Sequence, residues 1–85
     1  MIVEVEMDQD PASMGEVYLI TKEKRRFSIA SIWWERQGIK DCEIEVIYQG
    51  LREPAPDKLV EIVDSLIKRI LRKWGYTNII INHER

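Results

Sequence analysis

The sequence is poor in the residues on which cross-links, metal sites and many catalytic centres depend. Its 85 residues include one cysteine, Cys42, and one histidine, His83. A single thiol excludes an internal disulfide and a cysteine-based metal cluster, and it is typical of a reducing compartment. We therefore expect a cytoplasmic protein that uses no cofactor or metal. Cys42 is expected to be a small, half-buried apolar side chain.

Long apolar runs and catalytic motifs are also missing. No stretch approaches the roughly 18 apolar residues of a membrane span, and no signal peptide opens the chain. There is no glycine-rich phosphate loop and no zinc-ligand spacing. His83 lies near the C-terminus, where chains fray, and the pair Asp8 and Asp10 is typical of a turn rather than a calcium loop. We therefore expect neither catalysis, nor a small-molecule substrate, nor a membrane partner.

The strongest positive signal is an amphipathic segment, Asp57–Trp74. At about 100° per residue, its large apolar side chains all fall on one half of a helix. Pro56 suits the first turn, acidic residues precede basic ones as the helix dipole favours, and Gly75 suits the left-handed end. An isolated helix of this length is marginal in water, so its apolar half has to pack on a sheet.

Five other segments have the alternation or the β-branched content of strands. They are Ile2–Met7, Glu16–Lys22, Phe27–Glu35, Cys42–Gln49 and Thr77–His83. We therefore predict a single α+β domain over residues 1–85 with the order β-β-β-β-α-β. A mostly antiparallel sheet of four to five strands is expected to pack one face against the long amphipathic helix.

This arrangement leaves two apolar sheet faces and one helix to cover them. The covered face is expected to carry Val3, Val5, Val17, Leu19, Phe27, Ile29, Trp33, Ile44 and Val46. The uncovered face is expected to show Tyr18, Ile20, Ala30, Ile32, Trp34 and Ile47, flanked by Glu4, Glu6, Glu43 and Glu45. In a regular strand the adjacent Trp33 and Trp34 point to opposite faces. A bulge, or a twist that tucks the second indole under a loop, is the alternative.

An apolar patch rimmed by charge is typical of an interface. We therefore predict a small protein-binding module, acting as a homodimer or as an adaptor or inhibitor of another protein. The predicted interface consists of Tyr18, Ile20, Ile32, Trp34 and Ile47, with Trp34 as the anchor. The rim glutamates also offer a negative surface to a basic partner.

Two basic clusters raise nucleic-acid binding as a second hypothesis. The net charge is −2, yet the turn at 22–26 and the end of the helix are both basic. The candidate phosphate-binding residues are Lys22, Lys24, Arg25, Arg26, Arg69, Arg72 and Lys73. They form one surface only if the two clusters meet in space. Charged turns also serve simply to block edge-to-edge pairing of strands.

Overall fold

A computed structural model describes residues 2–9 and 14–85, so that Asp10, half of the predicted turn pair, lies outside the described residues. The elements are β1 (Ile2–Met7), β2 (Met14–Ile20), β3 (Arg26–Arg36), β4 (Asp41–Tyr48), α1 (Asp57–Lys73) and β5 (Asn78–Glu84). The five strands form one sheet in the order β1-β2-β3-β4-β5. The first four strands are antiparallel neighbours, and β5 returns parallel to β4. The α+β class and the predicted order of elements are confirmed.

The helix begins and ends close to the predicted positions. Pro56 is the N-cap and Asp57 the first helical residue. Gly75 has φ 96° and its N–H donates to the carbonyl of Arg72, which ends the helix in the left-handed conformation. The fully buried stripe of α1 consists of Leu59, Val63, Ile67 and Leu71.

The sheet is curled into a half-barrel, and α1 lies in its concave side. The helix packs against both edge strands, β1 and β5, which requires the sheet to bend around it. Residues of the inner strands complete the core, with Val17, Ile32, Ile44 and Val46 fully buried. Among the elements that the structure describes, none packs over the convex side.

A bulge in β3 controls which side chains reach the core. Val17 pairs with Ala30, but the next residue, Tyr18, pairs with Ser28. Ile29 is therefore an extra residue in β3 with no partner in β2. Because side chains alternate along a strand, one extra residue reverses the facing of every residue after it relative to a regular pairing.

The predicted facing of β3 is consequently wrong beyond this bulge. Trp34 lies on the concave side and is 5% exposed, while Trp33 lies on the convex side and is 51% exposed. Ala30 and Ile32, which we expected on the uncovered face, are also buried in the core. The bulge considered as an alternative does occur, and its effect is to exchange the positions of the two indoles.

Trp34 is held inside by specific partners. Its ring centroid lies 5.7 Å from that of Trp74 and 5.7 Å from that of Tyr76. Its indole Nε1 donates a hydrogen bond of 3.0 Å to the carbonyl oxygen of Asp8. The buried donor is therefore satisfied, and three aromatic rings close the end of the half-barrel next to the C-terminal end of α1.

Strand β2 begins two residues before its predicted start, because Gly15 belongs to the strand rather than to the preceding loop. Gly15 pairs with Met7 of β1. A Cβ atom at this position would collide with the carbonyl oxygen of Glu6. Glycine is therefore needed here for the close approach of two backbones, and not as a chain breaker.

Candidate protein-binding surface

The convex side of the sheet is strongly acidic. The register of the five strands places eight carboxylates on it: Glu4, Glu6, Glu16, Glu35, Asp41, Glu43, Glu45 and Glu84. Within the described strands, Arg26 is the one basic residue on this side. The four glutamates predicted to flank the uncovered face all lie here. The side without a helix therefore carries a large excess of negative charge.

Two groups of four residues on this side each consist of one aromatic residue and three glutamates, paired across strands in the same way. In the first, which we call the Tyr18 block, Tyr18 pairs with Glu4 and Glu16 pairs with Glu6. In the second, the Trp33 block, Trp33 pairs with Glu45 and Glu35 pairs with Glu43. Each block therefore contains one aromatic ring, a glutamate directly opposite that ring, and a second pair made of two glutamates.

Arg26 binds to the Tyr18 block. Its guanidinium carbon lies 4.0 Å from the centroid of the Tyr18 ring. Its Nη2 lies 2.6 Å from Oε1 of Glu6 and 3.1 Å from Oε1 of Glu4. The hydrogen bond to Glu6 is the main cause that raises the pKa of Arg26. Partial desolvation, followed by the charges of Glu16 and Glu6, raises the pKa of Tyr18.

The Trp33 block lines a depression of about 460 Å³, whose lining consists of Trp33, Glu35, Glu43 and Glu45 together with Trp34. A second depression, of about 240 Å³, lies on the other side of the Trp33 ring and extends to Glu16 and Tyr18. Across the described residues, no lysine or arginine forms an ion pair with the three glutamates of the Trp33 block. Like charges directly opposite each other in a sheet are destabilising, so Glu35 and Glu43 have an unfavourable interaction in the isolated chain.

The predicted interface residues divide between the two sides of the sheet. Tyr18, Ile20 and Ile47 lie on the convex side and are partly buried. Ile32 and Trp34 lie in the core, so our prediction of these two as contact residues, with Trp34 as anchor, is wrong. The physical reason is the bulge described above.

The sequence contains a signal that could have located this bulge. Ser28 and Ser31 are three residues apart, and Ile29 and Ala30 between them are both apolar. A regular half-buried strand would place its polar residues two or four apart, so the pair of adjacent apolar residues marks the irregularity.

The two predicted basic clusters do not meet. Lys22, Lys24 and Arg25 lie on the turn between β2 and β3, next to Arg26. The other cluster, Arg69, Arg72 and Lys73, lies on the last turns of α1, which the contact between Trp74 and Trp34 places at the far end of β3. Trp34 follows Arg26 by eight residues in this strand, a separation of about 26 Å. The seven residues therefore belong to two separate surfaces.

His83 lies within β5, where it links three elements instead of fraying. Its Nδ1 is 3.0 Å from the hydroxyl oxygen of Tyr48 in β4, and its Nε2 is 3.1 Å from Oδ1 of Asp64 in α1. Nζ of Lys68 lies 2.8 Å from Oδ2 of the same aspartate. Desolvation of Asp64 opposes its ionisation, but the hydrogen bonds from Lys68 and His83 outweigh it and lower the pKa of Asp64.

The Tyr48–His83–Asp64 chain of hydrogen bonds links β4, β5 and α1. Burial raises the pKa of Tyr48 to about 12, so the phenol stays neutral and is a poor nucleophile at physiological pH. Both ring nitrogens of His83 already have hydrogen-bond partners. The sequence did not indicate the link, because its members are separated along the chain and meet only after β5 has paired with β4.

Other chemistry is sparse in the described part of the chain. Cys42 is buried, more deeply than predicted, and desolvation raises the pKa of its thiol, which makes it unreactive. Residues 2–9 and 14–85 contain no cluster of three metal-ligating side chains. They also contain no helix long and apolar enough to cross a bilayer. Comparison of the chain with protein-family models, with curated proteins and with solved structures gives no match.

Proposed function

We propose that the protein is a small non-catalytic binding module whose convex sheet face docks onto a positively charged surface of another protein. The observation that carries the proposal is the combination, within the five described strands, of eight carboxylates, one basic residue and the half-exposed Trp33 on that face. Large aromatic residues supply most of the energy in many interfaces. A surrounding field of one sign accelerates association with a partner of the opposite sign.

The same charges argue against a homodimer formed by this face. A symmetric dimer brings the same patch of two copies together. The carboxylates of one copy would then oppose those of the other, and like-charge contacts in an interface cost several kcal/mol. Of the alternatives predicted from the sequence, an adaptor or inhibitor that binds a different, cationic protein therefore has more support.

Nucleic-acid binding has less support than protein binding. The convex face repels phosphates, and the two basic clusters lie near opposite ends of β3 instead of forming one patch. Arg26 is already engaged by Glu4 and Glu6. A cytoplasmic location remains part of the proposal, because the one cysteine is unpaired in the folded chain.

Site-specific photo-cross-linking in the cells of origin tests the proposal. A benzophenone amino acid replaces Ser31, which lies on the convex face beside Trp33, and in a separate variant replaces Ser65 on the outer face of α1. We expect an adduct with a protein of basic isoelectric point from position 31 and not from position 65. Glu43→Gln together with Glu45→Gln should abolish the adduct, whereas Glu53→Gln together with Glu61→Gln, an equal change of charge elsewhere, should not.

Two outcomes would contradict this proposal. An adduct between two copies of the chain from position 31 would show that the face forms a homodimer. If positions 31 and 65 gave the same adducts, or if both pairs of glutamine substitutions had the same effect, the convex face would not be the binding surface.

A further inference from the structure

We infer that the Trp33 block receives an arginine side chain of the partner, with the guanidinium stacked on the indole and hydrogen-bonded to the glutamates around it. This inference rests on the proposed function and names the chemical group that the convex face recognises. Its basis is the Tyr18 block of the same sheet, which has the same arrangement and binds the side chain of Arg26.

The Tyr18 block shows how such an arrangement binds an arginine. Arg26 lies over the ring of Tyr18 and reaches both Glu4, directly opposite the ring, and Glu6, diagonal to it. The guanidinium makes both kinds of contact at once: its Cζ lies over the ring while its Nη2 reaches both carboxylates. Three contacts therefore come from one side chain.

The Trp33 block repeats each of these components. Glu45 stands directly opposite Trp33, as Glu4 stands opposite Tyr18, and Glu43 is diagonal to the ring, as Glu6 is. Opposite residues of antiparallel strands have Cβ atoms about 4.5–5.5 Å apart, and diagonal ones about 7–8 Å, so both carboxylates lie within reach of a group stacked on the indole. Tryptophan is a better cation–π partner than tyrosine, which favours a cation here still more.

The chemistry of the block excludes the simpler cationic ligands. A metal ion needs several ligands on one point, and the described residues hold no such cluster. A lysine ammonium is a compact, strongly hydrated point charge without the planar face that lets a guanidinium stack on an aromatic ring. Arginine also relieves the cross-strand repulsion between Glu35 and Glu43, because it brings positive charge between the glutamates.

Two labelled peptides of equal charge, hexa-arginine and hexa-lysine, provide the test. Binding of each to the intact chain is measured by fluorescence anisotropy at the same ionic strength. We expect hexa-arginine to bind about three- to tenfold more tightly, since stacking on an indole adds to an attraction that both peptides share. The indole N–H resonance of Trp33 should shift on addition of hexa-arginine, while those of Trp34 and Trp74 should not.

Matched variants separate stacking from charge. Trp33→Leu should remove the preference for arginine, and Trp33→Phe should restore part of it. Phe27→Leu is the control, because Phe27 lies on the same strand and is 50% exposed against 51% for Trp33. Glu43→Gln with Glu45→Gln should lower the affinity for both peptides, whereas Glu53→Gln with Glu61→Gln should have little effect on either affinity. Circular dichroism confirms that each variant is folded.

The possible failures can be told apart. If both peptides bind equally and Trp33→Leu changes nothing, while the glutamate pair still matters, the arginine site is wrong and the proposed function stands. If neither peptide binds with a salt-sensitive affinity, the arginine site is wrong as well, and the cross-linking experiment alone decides whether the convex face is a docking surface.

Discussion

Two adjacent tryptophans of β3, Trp33 and Trp34, lie on opposite sides of the half-barrel in very different surroundings. Trp34 faces the concave side, where it packs against Trp74 and Tyr76 and its N–H is satisfied by Asp8. Trp33 faces the convex side among glutamates that lack basic partners in the described chain. The concave side is therefore packed for stability, whereas the convex side keeps a like-charge contact between Glu35 and Glu43.

The largest difference between the two sides should appear on truncation of the two indoles. Trp34→Ala should lower the free energy of unfolding by about 3–5 kcal/mol, because it leaves a cavity in the core. Trp33→Ala should lower it by less than about 1 kcal/mol, since the side chain is already half exposed. Urea titration followed by circular dichroism measures both values.

A loss of this size approaches the whole stability of a small domain, so Trp34→Ala is expected to be largely unfolded. Trp34→Phe provides the measurable intermediate case, with a smaller loss that should still exceed that of Trp33→Ala. Equal losses at the two positions would mean that the assignment of concave and convex sides is wrong.

The elements of this fold follow from local patterns, and for that reason the sequence predicted them well. The apolar spacing of α1, its proline start and its glycine end are all determined within a few residues of each other. The strands were also recognised, with bounds that differ by at most two residues at either end. The first four strands are separated by few residues in the sequence, which left the antiparallel order as the simplest one.

The facing of β3 could not be derived in the same way. The bulge at Ile29 depends on how β3 pairs with Val17 and Tyr18 of another strand, and a shift of one residue exchanges every side chain between the two sides. The candidate site depended on that shift, so Trp34 was predicted in the place of Trp33. The two blocks also became visible only once the register of the strands was known, since each combines residues from two strands.

The tyrosines of the two sides should respond differently to alkaline pH. Burial raises the pKa of Tyr48 from 10.0 to about 12, so the folded state favours the neutral phenol. The resulting contribution to the free energy of unfolding is fully present below pH 10 and is lost as the pH rises from about 10 to 12. We expect it to amount to roughly 2 kcal/mol.

Tyr48→Phe should remove this part of the loss of stability at alkaline pH. It should also lower the stability at neutral pH, because the hydrogen bond to His83 is lost. Tyr18→Phe on the convex side is the comparison: the pKa of Tyr18 is also raised, but its phenol is less buried than that of Tyr48, so this substitution should reduce the loss of stability at alkaline pH by less. Denaturant titrations at pH 8, 10 and 11 measure the effect. An unchanged pH profile in Tyr48→Phe would show that the buried phenol is not responsible.

A smaller effect is expected at acidic pH from the link between α1 and β5. The pKa of Asp64 is lowered in the folded state by its hydrogen bonds to Lys68 and His83, which outweigh its desolvation. Its stabilising contribution is therefore present above the unfolded pKa of about 4 and is lost as the pH falls below that value. Asp64→Asn should cost up to about 1 kcal/mol at pH 7 and flatten the acid limb of the stability profile. Glu61→Gln, on the exposed face of the same helix, should leave the acid limb as it is.

The smallest predicted effect has the opposite sign and separates the two blocks of the convex side. In the Trp33 block, Glu35→Lys replaces a like-charge pair with Glu43 by an opposite-charge pair, and we expect it to stabilise the fold by about 0.2–1 kcal/mol. In the Tyr18 block, Glu6→Lys also gains an opposite-charge pair with Glu16, but it replaces the closest partner of Arg26 by a like charge and should lower the melting temperature instead. Thermal unfolding at low and high salt measures both, and salt should reduce both differences because exposed charges are screened. If Glu35→Lys destabilises the chain as Glu6→Lys does, the glutamates of the Trp33 block are not in conflict, and the reason for expecting a cation there is lost.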